Sequence, residues 1–156
     1  MGIPFHDLDE IVVRRSGRTI VDIFARDGET GFRNLEGDVF KDLLAEEGSK
    51  VIALGGGTIE SGRARELIRN GSASLIWLKV NAPEAARRLE SGEMVDEHPL
   101  LKGLRGVMLT EVLKKLIDLR GGKYSINDFA IDTDGLTAVE VASLIAQALE
   151  GEHTIK

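Results

Sequence analysis

The chain has 156 residues, a formal net charge of −6 and no cysteine. This length fits one domain around a single core, and the negative charge argues against nucleic acid or an acidic membrane as a partner. Disulfides and thiolate metal sites are excluded, and no apolar run reaches the roughly 18 residues of a membrane helix. A cytoplasmic protein is therefore expected.

The first part of the chain alternates a short apolar run with helical segments that stop at glycines. Ile3–Asp9 is predicted to be a short strand that ends in carboxylates. Two helical segments follow, the first ending at Gly17 and the second at Gly28. A longer helix ending at Gly48 is predicted from apolar residues at near-helical spacing, namely Phe32, Leu35, Val39 and Leu43.

The rest of the chain continues this alternation. A strand is predicted at KVIAL, a helix at ARELIRNG and a continuous buried-type strand at ASLIWLKV. Further on, a helix begins near Pro83, a loop spans EMVDEHPLLKG and an amphipathic helix covers about Val107 to Leu119. The last elements are a strand in FAIDTDG and a helix in TAVEVASLIAQALEG.

Strands that alternate with helices indicate parallel βαβ units, and hence an α/β fold with a doubly wound parallel sheet flanked by helices. In such sheets ligands bind beyond the carboxyl ends of the strands. Two groups of residues fall at such ends, the pair Asp7 and Asp9 and the triplet Gly55–Gly57.

Asp7 and Asp9 are two residues apart. In an extended segment their side chains point the same way, so two carboxylates would converge on one spot. Paired carboxylates suit a hydrated Mg²⁺, a polyol or a general base. The alternative is that one of them only caps the following helix, as aspartate commonly does.

Arg33 and the glycine triplet are two further candidates for ligand contacts. Arg33 lies between Phe32 and Glu36, where it could bind a carboxylate in bidentate fashion or form an i,i+3 surface pair with Glu36. Three consecutive glycines after a strand allow backbone N–H groups to face a ligand, whereas the alternative is a strained strand-to-helix turn.

The segment LRGGKYS contributes Arg120 at a predicted helix end, where a cation is favoured by the helix dipole in any case. It is not a Walker A loop, because Ile117 stands where the first glycine is required and Tyr124 follows Lys123 in place of Ser or Thr. The three histidines lack the spacing of metal ligands.

The order and spacing of these segments resemble shikimate kinase. The similarity covers Pro4 to Leu149 and rests mainly on SGRTIVDIFARDGETGFRNLE, on the glycine triplet with its flanks, and on HPLL and IDTDG. The resemblance implies the P-loop nucleoside-monophosphate-kinase-like fold in a single domain, residues 1–156. It also implies transfer of the γ-phosphoryl group of ATP to a ring hydroxyl of shikimate, with Mg²⁺, in aromatic amino-acid biosynthesis.

The resemblance also implies roles for individual residues. Asp9 would bind the shikimate hydroxyls and orient or deprotonate the nucleophile, and Asp7 would hold Mg²⁺ through water. The implied substrate-binding residues are Asp9, Arg33, Gly55, Gly56, Gly57 and Arg120. In this arrangement the two arginines bind the shikimate carboxylate and the glycines bring backbone donors to the ring.

Two departures from the family pattern lead to further expectations. The family begins with a strand, a Walker A loop and a helix, which would precede PFHDLD, so we expect the domain to be N-terminally incomplete. Loss of that central strand would require rearrangement, self-association or a partner chain that supplies the missing unit. The lid motif Arg-Pro-Leu-Leu reads His98-Pro99-Leu100-Leu101, and a neutral histidine lacks the fixed charge expected over the transferring phosphoryl group.

We therefore expect ATP binding to be lost and kinase activity to be weak or absent in these 156 residues alone. The alternative function is a non-catalytic shikimate-binding or interaction domain.

Overall fold

The computed structural model describes residues 2–71, 73–92 and 94–152, which form two compact units. The first unit contains residues 2–71 and 95–103, and the second contains the other described residues. The strands of the described chain are β1 (Phe5–Asp7), β2 (Val51–Ala53), β3 (Ile76–Lys79) and β4 (Phe129–Asp132). The helices are α1 (Leu8–Ser16), α2 (Ile20–Ala45), α3 (Gly62–Asn70), α4 (Ala82–Ser91), α5 (Gly106–Gly121) and α6 (Ala138–Glu152). None of these helices is both long enough and apolar enough to cross a membrane.

The sheet of the first unit pairs β1 with β2 in parallel. Phe5 lies opposite Val51, and Asp7 lies opposite Ala53. Because both strands run in the same direction and end in register, the start of α1 and the glycine triplet emerge from the same edge of the sheet. The predicted placement of these two groups at the carboxyl ends of strands is confirmed.

Glycines and polar caps set the helix boundaries in the first unit. Helix α1 ends at Gly17, which has a φ of 65° in the left-handed region. Helix α2 starts after Thr19, whose side chain accepts a hydrogen bond from the N–H of Asp22. It is interrupted at Gly28, where φ is 69° and ψ is −179°, so the predicted stop at that residue is confirmed. The following helical segment ends at Ala45, slightly before the predicted Gly48.

The core of the first unit lies between α1, α2 and α3. Its buried apolar residues are Leu8, Ile11, Val12, Ile23, Phe32, Val39, Phe40, Leu43 and Ala64. One charged residue of α2 shares this buried face, because Glu36 is 1% exposed. A buried carboxylate among apolar side chains requires hydrogen-bonding partners, and those partners define the site described below.

The second unit pairs β3 with β4 in parallel and also contains α4, α5 and α6. Helix α4 starts after Asn81, whose side chain accepts from the N–H of Glu84, and Pro83 occupies its first turn as predicted. Parallel pairing in both units confirms the α/β class, and the described strands form one two-stranded sheet in each unit. The strand predicted at ASLIWLKV exists as β3, but it is not buried as expected, because Leu78 is 45% exposed in a two-stranded sheet.

A candidate ligand site in the first unit

The two aspartates at the end of β1 have different local roles. Asp7 is the N-cap of α1, and its Oδ1 accepts hydrogen bonds from the N–H groups of Asp9 at 2.9 Å and Glu10 at 3.2 Å. Asp7 therefore caps the helix, as the alternative stated, and its role towards Mg²⁺ stays a prediction. The prediction that Asp9 lies in an extended segment is wrong, because the helix already starts at Leu8 and places Asp9 in its first turn.

The Asp9 carboxyl lies in a partly closed, electrostatically unfavourable environment. Burial, and after it the negative charges of Glu36 and Asp7, raise its pKa to about 6 against the opposite effect of Arg33. Its Oδ1 is buried and has no hydrogen-bond partner. Asp9 therefore presents a free acceptor and titrates close to neutral pH.

Arg33 extends from α2 towards the glycine triplet. Its Nη1 donates to both carboxylate oxygens of Glu36, each at 3.0 Å, and its Nη2 lies 3.5 Å from Oε1 of Glu29. The guanidinium carbon also lies 5.1 Å from the centre of the Phe32 ring. The i,i+3 pair with Glu36 exists, but it is a buried pair and not the surface pair that was the alternative. The Nε of Arg33 is buried and has no partner, so this edge of the guanidinium remains available as a donor.

Within the glycine triplet, the backbone of Gly57 is closely approached by a side chain of the chain itself. A Cβ atom at Gly57 would lie 2.1 Å from Nη2 of Arg33. At Gly55, a Cβ would meet carboxylate oxygens of Asp9 at 3.5 and 3.6 Å and Oγ1 of Thr58 at 3.5 Å. Gly56 is the exposed member of the three. None of the three has a positive φ, so a left-handed turn does not explain the glycines, and only at Gly57 does close approach exclude a side chain.

Two residues that support the site were missed as site residues from the sequence alone. Glu36 was considered only as a surface partner of Arg33, and Thr58 was not considered. Thr58 Oγ1 donates to Oε1 of Glu36 at 2.7 Å, and both side chains are about 1% exposed. The available signal was the position of Glu36, four residues after Phe32 and three before Val39, on the face that carries the core residues.

The remaining candidate residues lie elsewhere in the described chain. Arg120 is half-buried in the last turn of α5, which belongs to the second unit. His98 is exposed in the turn after the short 3-10 segment Val95–Glu97, and its carbonyl accepts from the N–H of Leu101 at 2.9 Å.

The contacts within the site specify the chemistry of a matching ligand. The free Oδ1 of Asp9 requires a donor such as a hydroxyl group, and the free Nε of Arg33 requires an acceptor such as a carboxylate. A small hydroxylated carboxylic acid carries both groups. Among the described residues, there is no cluster of three His, Asp or Glu side chains that could hold a metal ion by themselves.

Comparison with known proteins finds relatives of one family. The family profile described as shikimate kinase matches residues 1–150. The chain is 36% identical over 139 residues to a shikimate kinase of Chlorobium chlorochromatii, covering 86% of this chain and 70% of that protein. A shikimate kinase of Moorella thermoacetica is also 36% identical, over 150 residues that cover 96% of this chain and 82% of that one.

Solved structures show the same relationship. The shikimate kinase from Acinetobacter baumannii in complex with shikimate superposes with a TM-score of 0.85 and 28% identity, covering 99% of this chain and 82% of that one. The enzyme from Aquifex aeolicus superposes with a TM-score of 0.75 and 32% identity, covering 97% of this chain and 83% of that one.

Proposed function

Since the chain belongs to the shikimate kinase family, we propose that the site between β1, α2 and the glycine triplet binds shikimate as the phosphoryl acceptor. The observation that carries this proposal is the pair of buried groups without partners, Oδ1 of Asp9 and Nε of Arg33. Buried polar atoms are rarely left unpaired in folded proteins, so these two atoms are natural contacts for a ligand. The reaction type supported by the family and by the structural match is that of a shikimate kinase, ATP-dependent transfer to a ring hydroxyl.

Arg33 is proposed to bind the shikimate carboxylate through the edge formed by Nε and Nη2. Glu36 already occupies Nη1 with both of its oxygens, so the edge formed by Nε and Nη2 is directed away from Glu36. Two parallel N–H donors on that edge match the geometry of a carboxylate. Gly56 and Arg120 are retained as proposed substrate contacts because of the resemblance to the family.

Asp9 is proposed to bind the shikimate hydroxyls and to accept the proton of the attacking one. With a pKa of about 6, the carboxyl is mostly ionised at neutral pH and is still a stronger base than an ordinary aspartate. The burial and neighbouring carboxylates that raise this pKa thus also suit Asp9 to general-base catalysis.

The residues present fit the acceptor better than the nucleotide. The 156 residues contain no G-x-x-x-x-G-K-[ST] sequence, so they include no loop of that type to hold the phosphates of ATP. Asp7 is the proposed Mg²⁺ contact, through water, although its Oδ1 is engaged in the helix cap. We propose that a polypeptide of residues 1–156, in the cytoplasm as expected for an ATP-dependent biosynthetic enzyme, has weak or no kinase activity.

The second candidate function is a shikimate-binding domain without catalysis. It is favoured by His98, which stands at the lid position where the family has arginine. Turnover of ATP that depends on shikimate distinguishes the two functions. A rate in the range of about 1–100 s⁻¹ that is typical of kinases would exclude the non-catalytic alternative and the proposed weak activity.

A calorimetric titration of the chain with shikimate in the absence of nucleotide tests the binding proposal. We expect saturable one-to-one binding that is lost or strongly weakened in Arg33→Lys. Lysine retains a positive charge next to Glu36 but cannot present the bidentate edge. The matched control is Arg63→Lys, in which the exposed ion pair with Asp38 is changed and binding should stay as in the wild type. Equal affinities in all three proteins would refute the proposed carboxylate contact.

A further inference from the structure

We infer that Thr58 is a positioning residue for the substrate carboxylate and acts through Glu36 on Arg33. This inference rests on the proposed function of the site and deepens it by adding a residue that does not touch the ligand. The Thr58 hydroxyl donates to Oε1 of Glu36 at 2.7 Å. This contact joins the 3-10 turn Thr58–Glu60, which directly follows the glycine triplet, to α2.

The Arg33–Glu36 pair by itself leaves one degree of freedom open. A single nitrogen of Arg33, Nη1, contacts both oxygens of Glu36, so the guanidinium and the carboxylate can rotate about that one point of contact. A hydrogen bond from a third group, on a separate segment, removes this freedom because it fixes the position of Oε1. Once the carboxylate is fixed, the plane of the Arg33 guanidinium is fixed as well.

Thr58 is itself held firmly enough to serve this purpose. Its N–H donates to the carbonyl of Gly55 at 2.9 Å, and its side chain is about 1% exposed. The residue before it, Gly57, packs directly against Nη2 of Arg33. The same short loop therefore supports the guanidinium on one side through the Gly57 backbone and on the other through the Thr58 hydroxyl and Glu36.

Thr58 also lies next to the second wall of the site. A Cβ placed at Gly55 would be 3.5 Å from Oγ1 of Thr58 and 3.5 Å from Oδ2 of Asp9, so both groups flank the same face of that glycine. The Thr58 hydroxyl thus lies near two carboxylates. That of Asp9 is proposed to bind a ligand hydroxyl, and that of Glu36 orients Arg33. Loss of the hydroxyl should affect recognition of the ligand carboxylate much more than recognition of the ring hydroxyls.

The test uses Thr58→Val in the full chain, which removes the hydroxyl and nearly preserves the side-chain volume. Calorimetric affinities are measured for shikimate and for its methyl ester, which keeps the ring hydroxyls and lacks the negative charge. We expect about tenfold weaker binding of shikimate, the effect of one buried hydrogen bond to a charged group, and less than about twofold for the ester. Thr58→Ser should restore shikimate binding to within about twofold of the wild type. Wild-type affinity for shikimate in Thr58→Val would overturn the inference, as would an equal loss for the acid and the ester.

The matched control is Thr110→Val, which removes a hydroxyl that donates to the carbonyl of Gly106 within α5 and should change neither affinity. If Thr58→Val does not fold, Thr58→Ala carries the same expectation.

A second measurement tests the role of Thr58 without relying on shikimate binding. Nitrogen-15 NMR of the ligand-free protein reports rotation of the Arg33 guanidinium. Its signals, identified by their loss in Arg33→Lys, should show separate Nη resonances in the wild type and in Thr58→Ser. In Thr58→Val these resonances should merge as rotation becomes fast. Separate resonances in Thr58→Val would overturn the inference even if shikimate binds. A wild-type chain that does not bind shikimate would refute the proposed function, and the NMR result would still decide the role of Thr58.

Discussion

Replacing Asp9 by asparagine should stabilise the fold while removing a group proposed to bind and activate the substrate. Burial and the carboxylates of Glu36 and Asp7 raise the pKa of Asp9 from 3.8 to about 6, which means that folding disfavours its ionised form. A shift of this size corresponds to roughly 3 kcal/mol at most. Because the carboxyl is partly exposed, solvent screening reduces this penalty, and we expect about 1–2 kcal/mol.

The stability difference between Asp9→Asn and the wild type should depend on pH, in a direction that follows from the raised pKa of Asp9. Between about pH 4 and pH 6 the folded chain binds more protons at Asp9 than the unfolded chain, so the contribution of Asp9 to the free energy of unfolding falls as pH rises. Above pH 6 the full penalty is present. The stability difference between Asp9→Asn and the wild type should therefore be near zero at pH 4, grow through this interval and be constant by pH 7.

The assay is urea unfolding followed by far-ultraviolet circular dichroism at a series of pH values. Comparison with the wild type cancels the titration of other groups, including Glu84, whose pKa is lowered to about 2 by hydrogen bonds from Arg87 and Arg88. Asp38→Asn is the control, because that carboxylate is 62% exposed in an ion pair with Arg63 and should contribute less than about 1 kcal/mol. A stability difference for Asp9→Asn that does not change with pH would refute the reasoning.

Two further predictions concern glycines. Gly57→Ala should retain the fold and lose most shikimate binding, because the new Cβ would lie 2.1 Å from Nη2 of Arg33 and would displace the guanidinium; circular dichroism and calorimetry check this. Its control is Gly62→Ala, where the nearest atom would be at an ordinary 3.7 Å and affinity should not change. Gly28→Ala should lower the free energy of unfolding by about 1–2 kcal/mol, since φ is 69° at the break in α2 and an L-residue is strained there. Unchanged stability in urea unfolding would show that α2 can continue through residue 28 without strain.

Helix boundaries in the first unit could be predicted from the sequence where a glycine ends the helix. The stops at Gly17 and Gly28 depend only on the left-handed backbone that glycine tolerates, and this information is local. The position of Asp9 was missed because an aspartate after a strand is compatible with either continued extension or a helix start. The cap formed by Asp7 stabilises the helical alternative, so α1 begins at Leu8, two residues earlier than the sequence pattern predicted.

The supporting residues of the site depended on tertiary contacts that spacing does not reveal. Arg33 and Glu36 are neighbours on one helix, but Thr58 comes from a loop 22 residues further along than Glu36. The glycine triplet was expected to bring backbone donors to a ligand, which stays a prediction, and within the chain itself the group that approaches it most closely is Arg33, at Gly57. The exposure of β3 also could not be predicted, because an apolar run does not reveal how many neighbouring strands it will have.

The most direct test of the proposed site is a crystal structure of the chain grown with shikimate. We expect a carboxylate oxygen of the ligand within hydrogen-bond distance of Nε of Arg33 and a ring hydroxyl within hydrogen-bond distance of Oδ1 of Asp9. Both buried atoms that lack partners in the ligand-free chain would then be paired. A ligand bound at another place, or one that leaves these two atoms without contacts, would contradict the proposed site.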